Sequence, residues 1–214
     1  MRFALLRSAT AAFLLVAQAS AGAQTAAISG RDFLVIDPPR AAPFAGRIEV
    51  IEFFFYGCPV CYEAQPYIAR WRAAAKPDVL HIRVPSATSA DGENFALTYY
   101  ALEANGQIER LHEAVYENYH FDNERLNDET KLLEWLARNG VDAEAFRALR
   151  DSSENRARVA AGRRSYESYN MRAVPAFAVD GRFVTSARLA GGVKEMLEVV
   201  ARLVERARDE PRGR

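Results

Sequence analysis

The most restrictive feature of the chain is the run at 48–56, IEVIEFFFY. It is β-branched and aromatic, with only Glu49 and Glu52 polar, so it reads as a strand. A strand this apolar needs cover on both faces, which places it in the middle of a sheet flanked by helices. Gly57-Cys58-Pro59 ends it, and the pattern from Pro59 to about Ala75 is helical. Residues 79–84 (VLHIRV) form a second strand. Strand, helix and strand over 48–84 imply a parallel pair joined by a crossover helix.

The next stretch changes character. Segments 94–104, 108–119, 130–139 and 143–169 carry apolar residues at three- and four-residue spacing. Phe95, Leu102, Leu111, Val115, Leu133, Leu136, Phe146 and Leu149 are the expected inward faces. Asn105-Gly106 and Asn139-Gly140 are stop signals, and Asn127 and Asp142 are candidate N-caps. Strand signal returns at 176–179 and 182–185 around Asp180-Gly181, a hairpin turn pair. An amphipathic helix at 193–207 closes the chain, and 33–36 is a short leading strand. The order is β, β-α-β, helical block, α, β-β-α. This is an α/β domain, at 24–86 and 160–210, split by a helical insertion at 87–159.

The N-terminus reads as an address. Residues 1–7 carry Arg2 and Arg7 without an acid, residues 9–17 are nearly all apolar, and Ala21 and Ala23 fit a small-residue cleavage site before Gln24. This is a secretory signal peptide over 1–23, too short in its apolar run for a comfortable membrane span. Lys+Arg and Asp+Glu balance at 28 each, which argues against a phosphate-tracking surface and hence against nucleic acid as a partner. A monomer is the simplest expectation.

The chain holds only two cysteines, Cys58 and Cys61. Two thiols exclude a disulfide scaffold and a four-thiolate zinc site. A metal site is disfavoured because His81, His112 and His120 lie far off in sequence. A static disulfide of this spacing would staple almost no chain. At the start of a helix, Cys58 meets unpaired backbone N–H groups and the positive end of the helix dipole, so its thiol pKa should fall. Pro59 suits the first helical turn. Cys58 then reads as the exposed nucleophile and Cys61, one turn deeper, as the resolving thiol. Far downstream, Pro175 stands immediately before a strand, where it removes a ladder donor; a cis Val174–Pro175 bond would explain it.

The stretch Glu52-Phe53-Phe54-Phe55-Tyr56-Gly57-Cys58-Pro59-Val60-Cys61-Tyr62, with the helical block and Val174-Pro175, resembles the DsbA family of bacterial thiol:disulfide oxidases. The resemblance implies a thioredoxin-like fold interrupted by an α-helical domain. It also implies a periplasmic enzyme that passes its disulfide to reduced or unfolded exported proteins. Reoxidation would come from a DsbB-like membrane partner, with no cofactor beyond the Cys58–Cys61 disulfide and no metal. By position Pro175 would be the family's cis-proline, Val174 would present backbone groups to a bound peptide, and Glu52 would be the buried acid beneath the site. The residues themselves allow two readings of Glu52. It can be a proton acceptor for Cys61, or it can reach solvent or pair with His81 or Arg83 on the next strand.

The chain departs from the best-known members in one redox-tuning position. They place Pro-His between the cysteines, whereas here Pro59 is followed by Val60. Loss of a charge-assisted hydrogen bond of about 1.5–3 kcal/mol moves a two-electron potential by roughly 30–65 mV toward reducing values. Thioredoxin and DsbA lie about 150 mV apart, so Val60 softens the oxidant without converting it. His112 and His120 read as helix-surface or cap residues. A client-specific reductase and a peptide-binding chaperone remain open as alternatives at this stage.

Overall fold

The computed structural model describes residues 27–41, 44, 46–122 and 124–210. The signal peptide expected over 1–23, with its cleavage site, lies outside the described residues. Five strands form one sheet: β1 (Leu34–Val35), β2 (Ile48–Phe54), β3 (Val79–Pro85), β4 (Ala176–Val179) and β5 (Phe183–Ser186), in the order β1-β5-β4-β2-β3. The β2–β3 pair is parallel and the other three pairings are antiparallel. Helix α1 (Pro59–Ala74) makes the crossover from β2 to β3. The insertion comprises α2 (Ala90–Ala104), α3 (Ile108–His120), α4 (Glu129–Arg138), α5 (Ala143–Arg150) and α6 (Ser153–Ser168). A short α7 (Ala187–Ala190) and the long α8 (Val193–Asp209) follow β5.

Strand β2 is buried at every position. Ile48 and Val50 pack with Ile68 of α1 and with Met196, Val200 and Leu203 of α8. Ile51 and Phe53 point to the other face, toward Tyr166 and Tyr169 at the end of α6. Phe54 enters the core of the insertion, beside Tyr99 and Tyr116. The alternation of a pleated strand thus feeds three apolar clusters at once. The hairpin between β4 and β5 turns through Asp180 and Gly181, both at positive φ (50° and 60°), where glycine is free of strain. On α6, Gly162 permits close approach to the sheet: a Cβ there would lie 2.9 Å from the Tyr100 hydroxyl and 3.3 Å from Val84.

Three expectations need correction. The segment 143–169 is not one helix: α5 ends at Arg150 and α6 begins at Ser153. The break is local side-chain chemistry. Ser152 Oγ donates to Leu149 O (2.7 Å) and accepts from Asn155 N–H (3.1 Å), which stops one helix and caps the next. The cap of α4 is Asp128, whose carboxylate accepts from Lys131 N–H at 3.1 Å; Asn127 instead donates to Asp91. Asp142 does cap α5, accepting from Glu144 and Ala145. The boundary expected at 159/160 falls inside α6, which runs unbroken across it.

Replacing Ser152 by Ala should lower global stability by about 1 kcal/mol in urea unfolding, while Asp at the same position stays near wild type. Equal loss in both variants would show that the cap is not what Ser152 contributes.

Candidate active site

Strand β2 carries the chain into a tight turn, closed by Cys58 N–H donating to Phe55 O at 3.0 Å. Cys58 is the N-cap of α1 and Pro59 its first residue. The Cys58 Sγ accepts from Cys61 N–H at 3.3 Å. Both cysteines are free thiols, with Cys58 half-buried and Cys61 fully buried. The pair is therefore seen as a dithiol. The peptide bond Val174–Pro175 is cis, and it brings the Val174 carbonyl to 3.6 Å from Cys58 Sγ, which donates to it as a thiol. Two segments 116 residues apart in sequence so meet at one sulfur. Val60 is 38% exposed and faces outward beside it.

The two thiols have opposite electrostatics. The Cys58 pKa is lowered from 9.0 to about 6, chiefly by the hydrogen bond from the Cys61 thiol; burial opposes this, and the backbone N–H groups of Cys61 and Val60 add to it. The Cys61 pKa is pushed far up by burial, by its hydrogen bond to Cys58, by the Cys58 charge and by Glu52. At neutral pH the negative charge of the pair resides on the sulfur that a partner can reach.

Glu52 does not reach solvent. It is fully buried, with Oε2 2.9 Å from His81 Nε2 and 3.8 Å from Arg83 Nε. Burial pushes its pKa up, but the contacts with His81 and Arg83 outweigh that and the net direction is down. The acid is held ionised beside Arg83 and His81 of the neighbouring strand, a pairing that the sequence reading offered among its alternatives. Its charge acts on Cys61 from below.

The sequence reading of the two insertion histidines fails. His112 is 2% exposed, and its Nδ1 shares a 2.8 Å hydrogen bond with the Tyr56 hydroxyl. Burial pushes its pKa down to about 3, so the ring is neutral. His120 is half-buried; its Nε2–H donates to the Tyr56 carbonyl at 2.8 Å, and its ring lies nearly parallel to Tyr62 (9°, centroids 5.6 Å apart). Both histidines thus hold the residue two positions before Cys58. The one sequence signal was spacing: His112, Tyr116 and His120 recur every four residues and share a face of α3.

A CxxC pair at the head of a helix, a sheet of this order and a cis-proline loop against the first sulfur define a thiol:disulfide oxidoreductase of thioredoxin-like fold. Known proteins agree. Residues 79–197 match the DSBA-like thioredoxin domain family. The thiol:disulfide interchange protein DsbA of Bordetella parapertussis is 35% identical over 187 residues, covering 86% of this chain and 88% of its own. That of Pseudomonas aeruginosa is 28% identical over 180 residues, covering 84% and 85%. The crystal structure of Pseudomonas aeruginosa DsbA superposes with a TM-score of 0.81 over 86% of this chain and 95% of its own, at 28% identity. The oxidoreductase DsbA of Xylella fastidiosa gives 0.80 over 86% and 99%, also at 28%. The chain belongs to the DsbA family. Among the described residues, no group of three or more metal-ligating side chains is present, and no helix is long and apolar enough to cross a membrane.

Ultraviolet thiolate absorbance of the dithiol protein should titrate with a midpoint near 6, a transition that Cys58→Ser abolishes. The folded pKa lies below the unfolded one, so the thiolate's stabilisation is full above about pH 9 and is lost as pH falls through about 6. Relative to Cys58→Ser, the dithiol protein should therefore become more stable from pH 6 toward 9. A flat difference would contradict the assignment.

Proposed function

We propose that this chain is a periplasmic disulfide donor of moderate strength, exported by its N-terminal signal and cleaved after Ala23. Its clients are reduced or unfolded exported proteins, and a DsbB-like membrane partner restores its disulfide. It works as a monomer, with the discontinuous α/β domain carrying the redox pair and the helical insertion covering it.

The observation that carries this reading is the asymmetry of the two sulfurs, one reachable with a lowered pKa and one buried with a raised pKa. In the disulfide form a client thiolate attacks Cys58 Sγ; the S–S bond breaks and Cys61 leaves as a thiolate that takes up a proton. A second client thiolate then attacks the client sulfur of the mixed disulfide. Cys58 departs as a stabilised thiolate, the client keeps the disulfide, and two electrons remain on the Cys58–Cys61 pair. A good leaving group at Cys58 drives transfer outward. In the reverse direction Cys58 is the nucleophile and Cys61 resolves the mixed disulfide. Val174 offers its backbone carbonyl to the client chain, and Pro175 holds that loop against Cys58. Val60, 38% exposed, gives an unfolded chain apolar surface beside Cys58, and Phe121, 74% exposed and packed on Tyr62, adds to it. Pro59 and Val60 tune the thiolate without a charge of their own. Glu52 transfers the proton that Cys61 takes up and releases.

Equilibration with glutathione buffers should give a Cys58–Cys61 reduction potential well above that of thioredoxin, yet below the strongest members by roughly 30–65 mV for the missing histidine. A potential at or below thioredoxin's makes the dithiol the working form and overturns the donor reading.

Replacing Glu52 by Gln should slow the step in which Cys61 leaves or attacks and change its pH profile, measured by stopped-flow exchange. Unchanged kinetics across pH would remove Glu52 from the proton path.

A further inference from the structure

Nothing between the cysteines can donate a charge-assisted hydrogen bond, since Val60 stands there. The geometry points instead to His120 of the insertion as a positioning residue for the redox turn, acting through the Tyr56 carbonyl. This rests on the thiolate reading of Cys58 given above.

The turn from Phe55 to Cys58 has one internal hydrogen bond, Cys58 N–H to Phe55 O. The Tyr56 carbonyl lies outside the β2 ladder, and its donor is His120 Nε2–H at 2.8 Å. A carbonyl only accepts, so Nε2 carries a proton, and it does so in both the neutral and the cationic imidazole. The imidazole ring is fixed in plane by Tyr62, one residue after Cys61, and by Tyr116 at 6.2 Å and 17°. The other end of Tyr56 is held by His112, and Tyr116 packs edge-on against its ring at 4.8 Å. His112, Tyr116 and His120 sit on one face of α3, and all three contact Tyr56. One helix of the insertion therefore grips a residue within the turn, while His120 also touches the residue after the pair.

The grip bears more on the dithiol than on the disulfide. In the disulfide a covalent bond fixes the two sulfurs. In the dithiol no covalent bond does so, and the path of the turn helps aim Cys58 Sγ at the Cys61 N–H, 3.3 Å away. A preorganised turn therefore stabilises the thiolate form selectively, which makes the pair more oxidising.

The test compares His120→Phe, which keeps a ring against Tyr62 without a donor, with His120→Gln, which keeps a donor at similar reach without the ring. Loss of one ordinary hydrogen bond corresponds to roughly fivefold in an equilibrium constant. His120→Phe should shift the glutathione equilibrium by about that factor toward the disulfide and raise the Cys58 titration midpoint, and His120→Gln should stay close to wild type. If His120→Phe does not fold, His120→Asn, whose amide falls short of the carbonyl, replaces it in the comparison. Wild-type values in the donor-less variant overturn the proposal, and so do equal shifts in both variants, which would make the ring and not the donor responsible. An ordinary thiol titration in the wild-type protein would instead defeat the thiolate reading itself.

Discussion

Strand β2 is buried along its whole length and on both faces, and the rest of the molecule is arranged around that requirement. Helices α1 and α8 cover one face, the end of α6 covers the other, and the insertion takes Phe54. Because the strand cannot continue into solvent without exposing aromatic surface, it turns at Gly57 and enters α1 directly. That places Cys58 at a helix start under a covered sheet end, where backbone donors are unpaired and water is scarce. The chemistry of the pair follows from this packing.

The same strand carries a charge that packing alone would reject. Glu52 in a fully apolar setting is costly, and its ionised form persists because β3 supplies Arg83 directly opposite it and His81 two residues earlier on the strand. A parallel neighbour brings both side chains to one side of the sheet. The buried carboxylate then opposes ionisation of Cys61 while leaving Cys58, nearer to solvent, to the local donors of α1. Two thiols one helical turn apart thereby acquire different acidities from one fixed charge and one helix end.

Much of this was legible in the sequence, because it depends on patterns that repeat locally. The apolar run of β2, the crossover to β3, the Asp180-Gly181 hairpin and the cysteine spacing each announce themselves within a dozen residues. What escaped was set by single polar side chains acting across the fold. Ser152 divides what periodicity reads as one helix, since its hydroxyl competes with the backbone and periodicity ignores hydroxyls. His112 and His120 looked like surface residues because helical spacing says which face they share but not what that face meets. Their partner, Tyr56, lies 56 and 64 residues away. The pairing of Glu52 with the next strand was among the contacts the sequence allowed, and the parallel register produces it.

Helix α6 begins among the insertion residues and ends against the sheet, touching Phe53 through Tyr166 and Tyr169. An unbroken rod shared by two bodies is a lever, not a hinge. Tilting the insertion must swing those tyrosines across the underside of β2, near the root of the redox turn. A displacement of the helical insertion would therefore be felt at the strand beneath Cys58, and the stiffness of a single helix would set how much of it arrives.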